Sequence, residues 1–183
     1  EIIADLKEKF DSLGGAVLAV VWVGNDPATA KFVGQKQKFA ERAGVDLKLF
    51  EYEDSISQEE LEKEIKRLAA DPQIKGILVQ LPLPAQLDPA RVIGLIPPEK
   101  DVDALGSEAL VLSPVMQAVK EILSRYDISL EGNKFVVLGQ GKLVGRPVAI
   151  WLSTEGATVE VLDERSQDIT KVLGQADVII SGI

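Results

Sequence analysis

Apolar positions along the chain follow two patterns. Continuous runs and alternations are typical of strands, and repeats at three- to four-residue spacing are typical of helices. The strand-like segments predict strands at residues 16–23, 45–51, 74–79, 134–138, 157–162 and 177–181. The repeats and capping signals predict helices at residues 2–13, 29–43, 57–68, 89 onward, 113–126, 144–154 and 169–173. We expect Gly14 and Gly15 to end the first helix, and a capping box at Ser57 and Glu60 to start the third.

The alternation of strands with helices predicts parallel sheets in an α/β protein. A continuous apolar run such as 16–23 indicates a strand that is covered on both faces. The pattern restarts at residue 134, after the helix at 113–126, so we expect two lobes joined by that helix. A length of 183 residues is sufficient for one large or two small domains.

Composition and charge exclude several classes of protein. Hydrophobic residues at 46% are ordinary for a globular chain, and no apolar run approaches the roughly 18 to 20 residues of a membrane span. The acidic opening segment does not have the pattern of a signal peptide. A net charge of −9 argues against nucleic-acid binding, since phosphate neutralisation requires a basic surface. We therefore expect a cytoplasmic protein without nucleic-acid or membrane partners.

The chain contains neither cysteine nor histidine, which limits its chemistry. Without cysteine there are no disulfides and no zinc–thiolate sites, which is compatible with a reducing compartment. Carboxylates alone offer only weak sites for hard ions, so we expect no metal centre. Without histidine, proton transfer near neutral pH must use lysine, a carboxyl group, tyrosine or bound water.

A single polar residue, Gln80, ends the apolar strand at 74–79, and the sequence Leu-Pro-Leu-Pro follows it. Proline has no amide donor and a fixed φ, so these prolines stop further strand pairing. Ligands bind at the carboxyl ends of strands in open α/β sheets, which favours a binding role for Gln80. Further along, an acidic loop contains Asp101 and Asp103. The alternative is an ordinary proline loop followed by a solvated acidic turn.

Lys36 is a polar residue on an otherwise apolar face of the helix predicted at 29–43. Phe32, Phe39 and Ala43 lie on the same face, at three- and four-residue spacing. The lysine either extends its ammonium to the edge of this face or is held in a pocket, where it could accept a proton. The helix pattern leaves both alternatives open.

Three glycines, Gly139, Gly141 and Gly145, lie between a predicted strand and a predicted helix. Their spacing, G-x-G-x-x-x-G, is one residue longer than the usual dinucleotide fingerprint. Glycine lets the backbone approach a pyrophosphate, and the N-terminus of the following helix offers amides to it. Asp163 ends the next strand, where a carboxylate can accept hydrogen bonds from ribose hydroxyls. These features favour dinucleotide binding, and a tight structural turn is the alternative.

Five motifs, in their order along the chain, resemble those of the methylenetetrahydrofolate dehydrogenase/methenyltetrahydrofolate cyclohydrolase family: GNDPAT, FVGQKQK, GILVQLPLP, KDVD and GKLVGRPVA. The resemblance spans nearly the whole chain, and VQLPLP combined with KDVD is highly specific. It implies a folate-binding catalytic lobe at residues 1–112 and a Rossmann-like NAD(P)-binding lobe at 113–183. It also implies an active cleft between the lobes and a homodimer.

The resemblance assigns the catalytic lysine to Lys36, its partner amide to Gln80 and the carboxylate that holds the pterin ring to Asp103. Phe32 and Pro82 are the further expected folate contacts. The implied activity is oxidation of 5,10-methylenetetrahydrofolate to 5,10-methenyltetrahydrofolate with NAD(P)+, followed by hydrolysis to 10-formyltetrahydrofolate. In that scheme Lys36 acts as acid and base, and Gln80 orients its amine.

The cofactor-binding residues implied by the resemblance are Gly139, Gln140, Gly141, Val144, Gly145 and Asp163. Gln140 and Gly141 replace the family's arginine and serine, and Asp163 stands where a histidine is common. Loss of the cation removes a partner for a 2′-phosphate, and a carboxylate would repel one. We therefore expect NAD rather than NADP.

Other departures from the family pattern leave two alternatives open. Phe32 replaces the family's tyrosine, so we expect stacking on the folate to persist while control of Lys36 or of water weakens. A monofunctional dehydrogenase is the first alternative.

The family's longer segment after KDVD and its C-terminal glycine-rich proline motif are absent, and the chain stops at residues 181–183. We therefore expect a fragment, further residues or a shortened protein. A folate- or nucleotide-binding protein without turnover is the second alternative.

Overall fold

The computed structural model describes residues 2–12, 16–141 and 143–183, and the chain divides into two compact units, Glu1–Val111 and Leu112–Ile183. Each unit contains a three-stranded sheet whose strand pairs are all parallel. The predicted α/β class with parallel sheets in two lobes is confirmed. Within the described ranges, no helix combines the length and the apolar character needed to cross a lipid bilayer.

The sheet of the first unit has the order β2-β1-β3, made of β1 (Val17–Val23), β2 (Asp46–Tyr52) and β3 (Ile74–Val79). Its helices are α1 (Ile2–Ser12), α2 (Pro27–Ala43), α3 (Gln58–Ala70) and α4 (Pro89–Ile93). Alternate residues of β1 share a core with Leu61, Ile65 and Leu68 of α3, which are fully buried. Successive residues of a strand point to opposite faces, so Leu78 and Gln80 point away from this core.

The sheet of the second unit has the order β5-β4-β6, made of β4 (Lys134–Leu138), β5 (Thr158–Leu162) and β6 (Val178–Ser181). Its helices are α5 (Pro114–Arg125), α6 (Gly145–Thr154) and α7 (Ile169–Leu173). The core contains Phe135 and Val137 of β4, Val148 and Leu152 of α6, and Leu123 of α5. Because Leu123 is buried there, α5 is an integral part of this unit rather than only a connector between the two lobes.

Each predicted strand and helix has a counterpart among the described residues, and β3, β4 and α7 have the predicted bounds. The predicted start of the second helix is wrong, because α2 begins at Pro27 rather than at residue 29. Asp26 caps this helix, since its Oδ2 accepts the N–H of Thr29 at 2.7 Å, and proline suits the first helical position. The predicted stop of the first helix at Gly14 and Gly15 lies outside the described residues.

Candidate active site

Lys36 and Gln80 are brought together although 44 positions separate them in the chain. The Nζ of Lys36, on α2, donates to the Oε1 of Gln80 at 2.8 Å, and both side chains are partly buried. The backbone N–H of Gln80 donates to the carbonyl of Val21 at 2.8 Å, which ties this residue to the end of the sheet. The amine is therefore held inside the unit and does not extend into bulk water.

The amide of Gln80 is also oriented by the residue that follows it. Its Nε2 donates to the carbonyl oxygen of Leu81 at 2.8 Å, so its Oε1 is the atom left to face Lys36. Leu81–Pro82 is a cis peptide bond, and Pro82 is exposed next to this pair. A neutral acceptor fixed in this way orients the lysine amine without adding a charge beside it.

Asp103 lies within electrostatic range of this pair. Its partial removal from water raises the pKa of the carboxyl, the ammonium of Lys36 opposes the rise, and the charge of Asp101 adds to it. A carboxyl with such neighbours is a common feature of functional sites. Lys36, Gln80 and Asp103 thus form an amine–amide–carboxyl group within the first unit, in which Lys36 is hydrogen-bonded to Gln80 and interacts electrostatically with Asp103.

Two aromatic residues lie near the same group. Phe32 is one helical turn before Lys36 on α2 and is 60% exposed, so its ring is available to a flat ligand. Trp22, which the sequence analysis missed, lies one residue beyond the Val21–Val79 pair of β1 and β3. That register places it beside Gln80 on the same face. Its Nε1 is buried, without a hydrogen-bond partner among the described residues. The continuous apolar run around Trp22 hid which face it occupies.

In the second unit, two of the three predicted loop glycines are required by geometry. Gly139 has a φ of 89°, and a Cβ at Gly145 would lie 1.9 Å from the carbonyl oxygen of Gly139. A Cβ at Gly141 would meet nothing closer than the carbonyl of Gly182 at 3.8 Å. Backbone conformation therefore requires glycine at position 139, and close packing requires it at position 145. The protein itself places no steric requirement for glycine on position 141.

Gln140 and Asp163 meet across the ends of β4 and β5. The Nε2 of Gln140 donates to the Oδ2 of Asp163 at 2.9 Å. The pKa of Asp163 is lowered, chiefly by the backbone N–H of Arg165 and further by the hydroxyl of Ser166 and the amide of Gln140. Asp163 is thus an ionised acceptor whose position is fixed by three neighbours.

A cavity of about 650 Å³ opens beside this pair, and its lining includes Gly139, Gln140, Asp163 and Arg165. That volume lies within the usual range for sites that take small molecules and cofactors. The sequence analysis missed Arg165, a cation two residues beyond the strand-end acid. A charged residue in a polar loop carries no distinctive sequence signal.

The start of α6 offers fewer free amides than the loop pattern predicted. The N–H of Arg146 donates to the carbonyl of Gly141 at 3.1 Å, and Pro147 has no N–H. Val144, at the helix cap, makes no side-chain capping bond. Within the described part of the chain, no group of three or more aspartate, glutamate, histidine or cysteine residues could hold a metal ion.

The fold and these two groups of residues define a class: a two-unit α/β protein with an amine–amide–carboxyl site in one unit and a glycine loop with a strand-end acid in the other. The catalytic-domain profile of tetrahydrofolate dehydrogenase/cyclohydrolase matches residues 1–103, and the family's NAD(P)-binding-domain profile matches residues 113–183. The chain belongs to the tetrahydrofolate dehydrogenase/cyclohydrolase family, which confirms the resemblance seen in the motifs.

Individual relatives agree with this assignment. The bifunctional protein FolD of Macrococcus caseolyticus is 39% identical over 176 residues, which cover 91% of this chain and 62% of that protein. The crystal structure of the Campylobacter jejuni bifunctional enzyme FolD is 34% identical with a TM-score of 0.93, covering 98% of this chain and 69% of that one. The Trypanosoma brucei enzyme, solved with NADP and an inhibitor, is 29% identical with a TM-score of 0.90, covering 98% of this chain and 67% of that one. The chain therefore spans about two thirds of the length of its relatives.

Proposed function

We propose that this protein oxidises 5,10-methylenetetrahydrofolate to 5,10-methenyltetrahydrofolate and then hydrolyses the product to 10-formyltetrahydrofolate. The observation that carries the proposal is the 2.8 Å hydrogen bond from Lys36 Nζ to Gln80 Oε1, with the Asp103 carboxyl close by. In a chain without histidine, this amine is well placed for proton transfer. Membership of the family supports the same activity.

Each residue of the first unit then has a role. Asp103, when ionised, accepts hydrogen bonds from pterin N–H groups, and Phe32 and Pro82 contact the flat ring and its linker. In the first step the one-carbon bridge of the folate loses a hydride, which NAD(P)+ accepts. In the second step water adds to the methenyl carbon, Lys36 takes up and returns the proton, and one carbon–nitrogen bond breaks. Gln80 holds the amine toward the reacting carbon throughout.

The lobes divide this work, with folate held by residues 1–112 and the dinucleotide by residues 113–183. The pyrophosphate would lie along the loop residues Gly139, Gln140, Gly141, Val144 and Gly145. Because Gly141 has no side chain, the pyrophosphate could approach its backbone closely. Asp163 would accept the ribose hydroxyls of the adenosine. The cavity beside Gln140 and Asp163 supports this placement. By analogy with the family, we propose that the protein acts as a cytoplasmic homodimer.

A lysine substitution tests the proposed role of the amine. We expect Lys36→Met to lower the rate of methenyl hydrolysis by about a hundredfold or more, the usual contribution of a positioned acid/base group. Lys38→Met is the matched control, since Lys38 is exposed on the same helix and has no assigned role. The hydrolysis is followed by the absorbance of the methenyl compound. Equal rates for the wild type and Lys36→Met would refute the assignment.

The preference for NAD over NADP is a second proposal. Asp163 is ionised and held by Gln140, so it would repel a 2′-phosphate, although the nearby Arg165 could attract one. We expect a higher kcat/KM with NAD, and a smaller preference in Asp163→Asn but not in Glu164→Gln, whose carboxylate lines the same cavity. An NADP value about tenfold or more above that for NAD would refute the proposal.

Phe32 favours a second candidate, a dehydrogenase that lacks the hydrolytic step. An exposed phenylalanine can stack on folate but has no hydroxyl with which to assist Lys36 or a water molecule. Steady accumulation of the methenyl product during turnover would favour this candidate. Conversion of added methenyltetrahydrofolate to the formyl product at the rate of its formation would favour the bifunctional enzyme.

A further inference from the structure

Asp101 is a buried carboxylate to which the proposed chemistry gives no role. Among the described residues it is the one charged side chain classed as buried, at 4% exposed. Its backbone is fixed, because its N–H donates to Pro97 O at 3.1 Å and it forms an isolated parallel bridge with Ile77. Burial of a carboxylate is costly unless hydrogen bonds compensate, so its partners indicate its function.

The partners of Asp101 are two backbone amides further along the same loop. Its Oδ2 accepts the N–H of Gly106 at 2.7 Å, and its Oδ1 accepts the N–H of Leu105 at 3.4 Å. These bonds close the chain into a ring that contains Asp103. One end of the ring is anchored to β3, and the carboxylate holds the other end through these two hydrogen bonds.

The loop needs this restraint because it contains an unfavourable backbone conformation. Ala104, directly after Asp103, has a φ of 52°, in the left-handed region that residues with a Cβ avoid. Such a conformation persists only where the surroundings impose it. Packing does not supply the restraint on one side, since a cavity of about 90 Å³ lies there, lined in part by Asp101, Gly106 and Glu108.

We propose that Asp101 is a positioning residue, which holds the 103–106 loop in the shape that presents the carboxylate of Asp103 to the pterin ring. The inference rests on the proposed function, because it takes Asp103 as the group that contacts folate. It adds a residue that touches no substrate and acts through two hydrogen bonds and a left-handed alanine.

The first measurement compares steady-state constants for 5,10-methylenetetrahydrofolate. In Asp101→Asn, the side-chain amide presents a donor to one of the two loop N–H groups. We expect KM to rise about tenfold, the loss typical of a hydrogen bond to a charged group, and kcat to stay within about threefold. Glu108→Gln is the matched control, since Glu108 lines the same cavity and is exposed. Its constants should equal those of the wild type.

A second substitution distinguishes restraint from a loss of charge. Glycine adopts a φ of about 52° without strain, so Ala104→Gly added to Asp101→Asn should recover much of the lost affinity for folate. The pH profile provides an independent readout. Because Asp101 raises the pKa of Asp103 and Lys36 opposes the rise, Asp101→Asn should move the acid limb of the KM profile to lower pH.

An unchanged KM in Asp101→Asn, or a raised KM that Ala104→Gly does not lower, would overturn this inference about Asp101. The proposed function would not be affected by either result. A wild type that neither turns over nor binds folate would instead refute the proposed function, and this inference with it. If no Asp101 variant folds, amide hydrogen exchange of the wild type decides. Protection of the Gly106 N–H supports the restraint, and exchange at the rate of an unstructured peptide overturns it.

Discussion

At the scale of single residues, the proposed site depends on which atoms are left free after the protein's own hydrogen bonds are made. Gln80 gives its Nε2 hydrogen to the carbonyl of Leu81, and this leaves Oε1 for Lys36. Both carboxylate oxygens of Asp101 accept loop N–H groups, whereas the carboxylate of Asp103 accepts no backbone N–H from the described residues. The residues proposed to contact substrate are thus oriented by neighbours for which we propose no such contact.

Asp103 carries a stability cost that should be measurable. Its pKa is raised in the folded protein, chiefly by burial, so the folded state keeps the proton to higher pH than the unfolded state does. Stability should therefore fall as pH rises through this pKa. We expect Asp103→Asn to unfold at higher urea concentration than the wild type at about pH 7, and at nearly the same concentration at about pH 3.

The control for this prediction is Asp46→Asn, since Asp46 is exposed on β2. Its unfolding midpoint should match that of the wild type at both pH values. The gain from Asp103→Asn should accompany a loss of folate binding, as expected where a functional group is held at the expense of stability. A lower midpoint for Asp103→Asn at neutral pH would contradict the prediction, because it would mean that attraction to Lys36 exceeds the cost of burial.

At the scale of elements, α2 is the helix on which the site depends, because it carries both Phe32 and Lys36. Its ends are well defined, by the Asp26 cap at the start and by Gly44, with a φ of 74°, at the end. Its middle is weaker, because Gly34 lies between Phe32 and Lys36 and glycine is a poor helix former. A Cβ at Gly34 would meet no atom within 4 Å.

Gly34 within α2 and Gly44 directly after it predict opposite effects of the same substitution. Gly34→Ala should raise the free energy of unfolding by about 1 kcal/mol, because it improves helix propensity in open space. Gly44→Ala should lower it by about 1 kcal/mol or more, because alanine is strained in the left-handed conformation. Urea unfolding followed by circular dichroism measures both. A destabilised Gly34→Ala protein would contradict the view that this position is free of packing.

At the scale of the whole molecule, the chain consists of two units with separate hydrophobic cores. Leu61 and Ile65 are fully buried in the first core, while Phe135 and Leu152 are fully buried in the second. The boundary falls between Val111 and Leu112, in a segment without regular secondary structure where Leu110 is 73% exposed. Such segments are the preferred sites of proteolytic cleavage.

Limited proteolysis therefore tests the division. Thermolysin, which cleaves before large apolar residues, should make its first internal cut within residues 107–112. Because each unit has its own core, both fragments should keep their helical circular dichroism. A first cut inside a β-strand, or fragments that lose their secondary structure, would contradict two independently packed units. Exposed Tyr126, at the C-terminal end of α5, provides a second apolar site with which the first cut can be compared.

The sequence predicted the elements well because their signals are local. The strand at Ile74–Val79 was bounded by its apolar run and by Gln80, and the capping box at Ser57 and Glu60 is present as predicted. The start of α2 was missed although Asp26 and Pro27 carry the same signal that located the helices after Asp88 and Ser113. In that instance the local signal was present and was interpreted as a loop.

The amino-acid sequence by itself determined the α/β class, the two lobes and the family, because periodicity and ordered motifs depend only on neighbours along the chain. Tertiary structure decided what requires distant residues to meet. It placed Lys36 against Gln80, put Trp22 beside Gln80, joined Gln140 to Asp163 and turned Asp101 back onto Gly106. Hydrogen bonds and burial depend on distances in space, and no spacing along the chain specifies those distances.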